Sequence, residues 1–256
     1  MDNKNTENYK NFMTLERMLH PIDPKVFWTK YWGKQHLVIR RYSILKTMYT
    51  WKNFNNHLNQ YPEIPGLKII NKELFPKEEW DYKKIKLGKS KMTLLSKKEI
   101  YNAWQKGSTF VLPFAEYQRE SLYSVCEEFE RYFDRGQINI YCSSGNNSDS
   151  FPAHSDSTEN FLFHCEGRVA WTIYEEFAPN KPKNIKAQFI LEPGDLLYIP
   201  QYQYHKVDVL EPRILVSAHF ANKKQQSLKS FNITPKGESK RIKWYNFEDT
   251  CGCNKT

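Results

Sequence analysis

His154-Ser155-Asp156 offers the sequence its sharpest opportunity to bind a metal. On an extended segment residues i and i+2 point the same way, so H-x-D presents an imidazole and a carboxylate on one face. Two such donors need a third. His205 supplies it at the end of Gly194-Asp-Leu-Leu-Tyr-Ile-Pro-Gln-Tyr-Gln-Tyr-His205, just past the predicted strand DLLYIP. Two histidines and one carboxylate on one face of an octahedron leave three positions free, which is the donor set of oxygen-activating non-haem iron(II). Zinc prefers a closed tetrahedron or a single open position. Alone, H-x-D says little; the P-G-D turn, the strand and a histidine at this distance turn it into a ligand set.

The elements that must position these residues are short strands. From Gln137 the chain runs INIYC, NFLFHCEG, RVAWTIYE, KAQFILEPG, DLLYIP and ILVSAHF, with Gly, Pro and Asn between them. That spacing predicts an all-β barrel or sandwich over about 137–222. Upstream, helices are predicted from Leu15 and after Asp23-Pro24, an N-cap followed by an N1 proline. The second carries Phe27, Trp28, Tyr31 and Trp32 on one face. His36–Arg40 reads as a short strand, residues 44–108 as helical and irregular, and Ser121–Phe133 as an amphipathic helix. The expected organisation is a tail (1–12), one domain (13–225) with a helical and irregular insert at about 44–135, and an extension (226–256).

Bulk properties narrow the setting. The chain has 256 residues, a formal net charge of +9, 39% hydrophobic and 15% aromatic residues, enough to build a sizeable core. Its first ten residues are polar, and nothing approaches the roughly 20 apolar residues of a membrane span. Five cysteines spread along the chain make no disulfide framework, so the expectation is a cytoplasmic, reduced protein with no membrane contact. The basic surface suits an acidic peptide, nucleic acid or a carboxylate cosubstrate. The Lys83–Lys98 run reads as a solvated face, with nucleic-acid contact as the sharper alternative. Cys251-Gly-Cys253 lacks a second Cys/His pair for a zinc site. There is no phosphate-binding glycine loop, G-x-S-x-G elbow or H-E-x-x-H.

The stretches PAHSDSTENFLFHCEGRVAW and EPGDLLYIPQYQYH resemble the JmjC-type, cupin-like Fe(II)- and 2-oxoglutarate-dependent oxygenases, a group that includes the factor-inhibiting asparaginyl hydroxylase and the ribosomal oxygenases. VFWTKYWGKQHLVIRR is similar to the segment that opens many members. The resemblance covers about 20–40 and 137–222 and leaves 44–120 unmatched. It implies a mainly β fold with flanking helices around a double-stranded β-helix (jelly-roll) core. By the same resemblance His154, Asp156 and His205 would be iron ligands, Asn160 would contact the cosubstrate, Tyr141 would line its pocket, and Gly167 and Trp171 would be structural. Tyr202 and Tyr204 bracket the approach to His205 and would shape the substrate mouth, or serve only as core. His219 and the adjacent His164 and Cys165 read as packing residues.

The sequence departs from the family at one telling position. Members of the group place a Lys or Arg two residues after that glycine to bind the distal carboxylate of 2-oxoglutarate; here it is Val169, with Arg168 one place earlier. Neighbouring strand residues face opposite ways, so Arg168 should point out of the barrel. Phe151 stands where a hydroxyl would help. A buried carboxylate without a cation is costly. Arg213, opening the last strand, is the candidate replacement by resemblance to prolyl-hydroxylase-like 2-oxoglutarate oxygenases, which use an Arg at about this distance past the distal His, its planar fork matching a carboxylate; a surface arginine is the competing reading. The implied activity is Fe(II)/2-oxoglutarate-dependent hydroxylation of a C–H bond in a peptide or protein side chain. Hydroxylation of a free amino acid, RNA modification and an inactive metal-binding cupin are the alternatives, and a homodimer is left open.

Overall fold

The computed structural model of the chain describes residues 14–40, 46–60, 64, 66–71, 82–87, 90–145, 148 and 150–221. The tail 1–12, the extension 226–256 and with it Cys251 and Cys253 lie outside the described residues. The strands are β1 (Leu37–Ile39), β2 (Lys68–Ile70), β3 (Tyr82–Leu87), β4 (Ser90–Leu95), β5 (Thr109–Leu112), β6 (Gly136–Ser143), β7 (Glu159–Glu166), β8 (Val169–Phe177), β9 (Ile185–Leu191), β10 (Leu196–Ile199), β11 (Gln203–Val209) and β12 (Arg213–Phe220). The helices that cover them include α1 (Leu15–Leu19), α2 (Trp51–Gln60), α3 (Lys97–Gln105) and α4 (Glu120–Glu130).

Seven strands form one antiparallel sheet in the order β1-β10-β7-β12-β6-β5-β2, and β11-β8-β9 form a second. His154 extends the second sheet, because its N–H donates to His205 O (3.0 Å) and its carbonyl accepts from His205 N–H (2.8 Å). The two sheets close on one another as a double-stranded β-helix, the jelly-roll core expected for this sequence.

Strand alternation explains why both sides of the large sheet are buried. On β7, Phe161, Phe163 and Cys165 join the core that α1, α2, α3 and α4 complete with Leu15, Phe54, Ile100, Val125 and Phe129. The residues between them, Asn160, Leu162 and His164, therefore face the barrel. On β12, Ile214, Val216, Ala218 and Phe220 pack toward the helices. Leu215 packs inward with Leu162, Val169, Trp171, Ile173, Leu197 and Val207. Arg213, Ser217 and His219 share the inward parity of Leu215.

The segment before β1 folds much as its sequence suggests. Asp23 Oδ1 accepts the N–H groups of Lys25 (2.7 Å) and Val26 (3.4 Å) ahead of Pro24, capping a helical turn that widens to a π-turn over Phe27–Tyr31. The region 44–108 departs from expectation. Besides α2 and α3 it contains β2 and the β3–β4 hairpin, which carries most of the Lys83–Lys98 run. The strand β11 was not among the expected ones; His205 sits on it, paired with β8.

Glu159 tethers the N-terminal segment to the sheet. It is 1% exposed and accepts the Tyr198 hydroxyl at 2.7 Å, while Tyr198 Oη accepts the Gly33 N–H at 2.9 Å. Burial pushes its carboxyl from 4.5 up to about 7, against hydrogen bonds from Tyr198 and the Gln201 backbone that pull it down. The folded chain thus keeps a proton that the unfolded chain releases near 4.5. This contribution to stability is full below that pH and is lost as pH rises toward 7. Glu159→Gln should remove the loss, on the order of 3 kcal/mol. Urea unfolding at pH 5 and pH 8 measures it: the variant should gain on wild type between the two, and parallel profiles would refute the assignment.

Candidate metal centre

His154, Asp156 and His205 present donor atoms that all lie within 4.8 Å of one another. Main-chain pairing fixes the two histidines side by side, with ring centroids 4.5 Å apart. The Asp156 carboxylate reaches to 3.5 Å from His205 Nε2. Asp156 is held in turn by its own carbonyl, which accepts the Tyr202 N–H at 2.6 Å.

The hydrogen bonds of the two rings choose their tautomers. His154 Nδ1 lies 2.8 Å from Pro152 O, and His205 Nδ1 lies 2.9 Å from Gln203 O. A carbonyl can only accept, so each Nδ1 carries the proton and each Nε2 lone pair is left for a metal. Burial, with His154 alongside, holds His205 down to about 4 despite the opposing pull of Asp156. It is therefore neutral at ordinary pH, the form that ligates. These residues fit an octahedral metal that keeps three positions for other ligands.

Asn160, given a cosubstrate contact by the resemblance, lies against Asp156. Its Nδ2 donates to Asp156 Oδ2 at 2.7 Å and its Oδ1 accepts from Thr158 Oγ1 at 3.2 Å, so in this structure it orients the carboxylate ligand. Tyr141 is half-buried and lies within electrostatic reach of both Asp156 and Arg213. Burial and Asp156 raise its pKa, while a hydrogen bond with Asn139 and the nearby Arg213 act to lower it. His219, lowered chiefly by burial, also lies within reach of Asp156.

Arg213 is 1% exposed. Its Nε donates to Ser143 Oγ at 3.0 Å, but its Nη1 has no partner among the described residues. Burial draws its pKa down to about 10, against the nearby Tyr141 and Cys142. A buried guanidinium with an unmet donor and no counter-ion fits a bound carboxylate. Val169 is wholly buried in the barrel core, whereas Arg168 points outside and pairs with Glu211 at 2.7 Å. The inward cation is thus supplied from β12. The Gly167 turn (φ +73°) closes this end of the barrel, where a Cβ would run into the Pro212 carbonyl. His164 Nε2 bonds Gly167 O at 2.8 Å, and burial lowers its pKa to about 4.

The two mouth tyrosines separate. Tyr202, 44% exposed, adopts a left-handed backbone (φ +67°) beside the triad, a strained conformation of the kind found where a side chain is held for a purpose. Tyr204 lies between inward-facing Gln203 and His205 on β11, and alternation turns it to the outer face, away from the metal donors.

Residues 110–228 match the JmjC domain family. Over these residues the chain resembles a JmjC domain. The matched residues take in β6 to β12 and His154, Asp156 and His205. Among curated proteins the chain is 23% identical to ribosomal oxygenase 2 of Bos taurus over 225 residues, covering 77% of this chain and 44% of the relative. It is 24% identical to the bifunctional lysine-specific demethylase and histidyl-hydroxylase NO66 of Dictyostelium discoideum over 233 residues, covering 81% and 43%. The chain therefore spans less than half the length of these relatives. Its fold matches that of YcfD, a ribosomal oxygenase from Escherichia coli solved with cobalt and 2-oxoglutarate. The TM-score is 0.56 at 15% identity, covering 81% of this chain and 54% of that one.

Proposed function

We propose that this JmjC-like domain is an Fe(II)- and 2-oxoglutarate-dependent dioxygenase that hydroxylates a C–H bond in a peptide or protein side chain. The observation that carries the reading is one barrel that brings His154, Asp156 and His205 together and buries an arginine, Arg213, with an unmet donor. Iron(II), 2-oxoglutarate and dioxygen supply the oxidising chemistry. The chain's part is to bind and orient: His154, Asp156 and His205 hold the metal, Asn160 steadies Asp156, and Arg213 with Ser143 and Tyr141 receives the distal carboxylate. The barrel walls keep bulk water from the buried charges.

A macromolecular substrate is supported by the relatives, named as ribosomal oxygenases and as a histidyl-hydroxylase and lysine-specific demethylase. Tyr202 at the triad's rim is the residue proposed to meet it. Arg213 counts against an inactive cupin, since a lost cosubstrate site would have no use for a buried cation. No helix among the described residues is long and apolar enough to cross a membrane. Cys126, Cys142 and Cys165 are buried and outside any disulfide, compatible with a reducing cytoplasmic setting.

Anaerobic titration of the Fe(II)-loaded protein with 2-oxoglutarate tests the reading. A weak visible charge-transfer band should appear as the oxo-acid chelates the metal and should vanish in His205→Ala. Iron binding without the band would refute the cosubstrate assignment. A product search should begin with peptides, with salt-dependent RNA binding followed in parallel; affinity that falls steeply with salt would favour a nucleic-acid substrate.

A further inference from the structure

Trp171 lies on β8, two residues along from Val169 and on the same inward face. Its ring centroid is 5.8 Å from that of His205. The side chain is 4% exposed, yet its Nε1–H meets no acceptor among the described residues. Buried indole N–H groups usually find a partner, and one left unmet carries its full desolvation penalty. A purely structural tryptophan would give up nothing if the nitrogen were turned toward a strand carbonyl. Here it is kept unmet in the barrel core, near His205.

The barrel thus holds two buried side-chain donors without acceptors, Trp171 Nε1 beside the metal and Arg213 Nη1 at the end closed by the Gly167 turn. They stand on different strands, β8 and β12, and Tyr141 lies within electrostatic reach of Arg213 and Asp156. An elongated anion, with acceptor oxygens at both ends, would answer both. On the strands β6 to β12 the other unpartnered atoms, His164 Nδ1 and Gln203 Oε1, offer lone pairs and would not meet an anion.

We infer that the indole N–H of Trp171 is a second donor to the oxo-acid cosubstrate, bonding an oxygen at the metal-bound end while Arg213 holds the other. The inference rests on the proposed oxygenase reading and extends it. The strand that lacks a cation at Val169 contributes a neutral donor instead. Because an indole N–H does not titrate, this contact orients the ligand without adding charge beside the metal.

Indole ¹H–¹⁵N spectra of the Zn(II)-substituted protein test this without turnover. The Trp171 signal is assigned through the backbone of residues 169–173 and checked by its loss in Trp171→Phe. On adding 2-oxoglutarate it should move downfield further than any other indole signal. Trp171→Phe, which keeps an aromatic ring and deletes the donor, should weaken 2-oxoglutarate binding by about 10- to 100-fold, as for a hydrogen bond to a charged acceptor. If 2-oxoglutarate binds but the Trp171 signal stays in place, the inference is wrong and the oxygenase reading survives. An unchanged affinity in Trp171→Phe would overturn the inference in the same way. If the metal-loaded wild type does not bind 2-oxoglutarate at all, both fall together.

Discussion

Arg213→Met is expected to weaken 2-oxoglutarate binding by roughly 10²- to 10³-fold while leaving the unliganded protein at least as stable as wild type. The side chain is 1% exposed, and its charge has no counter-ion among the described residues. Removing one partner of a buried ion pair costs about 3–5 kcal/mol because the other is stranded. The stranded group here would be the cosubstrate carboxylate, so the cost falls on binding. Without ligand the opposite holds: the folded chain already bears an unpaired buried cation, and an apolar side chain of similar length relieves it. Calorimetric titration of the metal-loaded protein and thermal unfolding of the free protein separate the two effects. Arg213→Lys should fall between, keeping charge but losing the Nε bond to Ser143 Oγ. Arg168→Ala is the control, since its guanidinium pairs with Glu211 on the outer surface. Loss of binding in Arg168→Ala with none in Arg213→Met would place the carboxylate elsewhere.

How much of this site could be read from the sequence follows from period-two geometry. His154 and Asp156 two apart, Val169 inward with Arg168 outward, and Arg213 at the head of the last strand all depend only on alternation once strands are assigned. The same rule applied to β11 would have turned Tyr204 outward, but Gln203–Val209 was not recognised as a strand. The Asn160–Asp156 bond and the left-handed Tyr202 were out of reach. Each depends on how the loop after His154 folds back, which no local pattern encodes. The unmet N–H of Trp171 is more remote still, since it exists only once every neighbour has been placed.

The fold shows the same division. The barrel strands announce themselves by β-branched and aromatic runs between turns, and α4 by its periodicity. Residues 44–108 did not. β2 has three residues and β5 four, and β5 pairs with β6, Thr109 lying opposite Ser143. Strands this short take their stability from partners distant in the chain and leave little alternation to detect. The hairpin β3–β4 was obscured by its lysines, a composition that suits a solvated strand as well as a solvated helix.

Asp156→Ala should abolish stoichiometric metal retention through gel filtration, whereas Asn160→Ala should only weaken it, by about 10- to 100-fold. Asp156 is the sole carboxylate of the triad, so its loss leaves two neutral imidazoles and removes the charge that favours a hard divalent ion. Asn160 acts one bond further out, through Nδ2 on Asp156 Oδ2; without it the carboxylate keeps its charge but loses its orientation. The His154–His205 main-chain bonds involve neither side chain, so the histidine pair should survive both changes and the circular dichroism of the folded protein should not move. Metal content by atomic absorption, read beside a competition titration with a chromophoric chelator, gives the order of effects. Full metal in Asp156→Ala would end the triad assignment. Equal loss in the two variants would mean that Asn160 holds the ion directly, and the donor set would have to be redrawn around an amide oxygen.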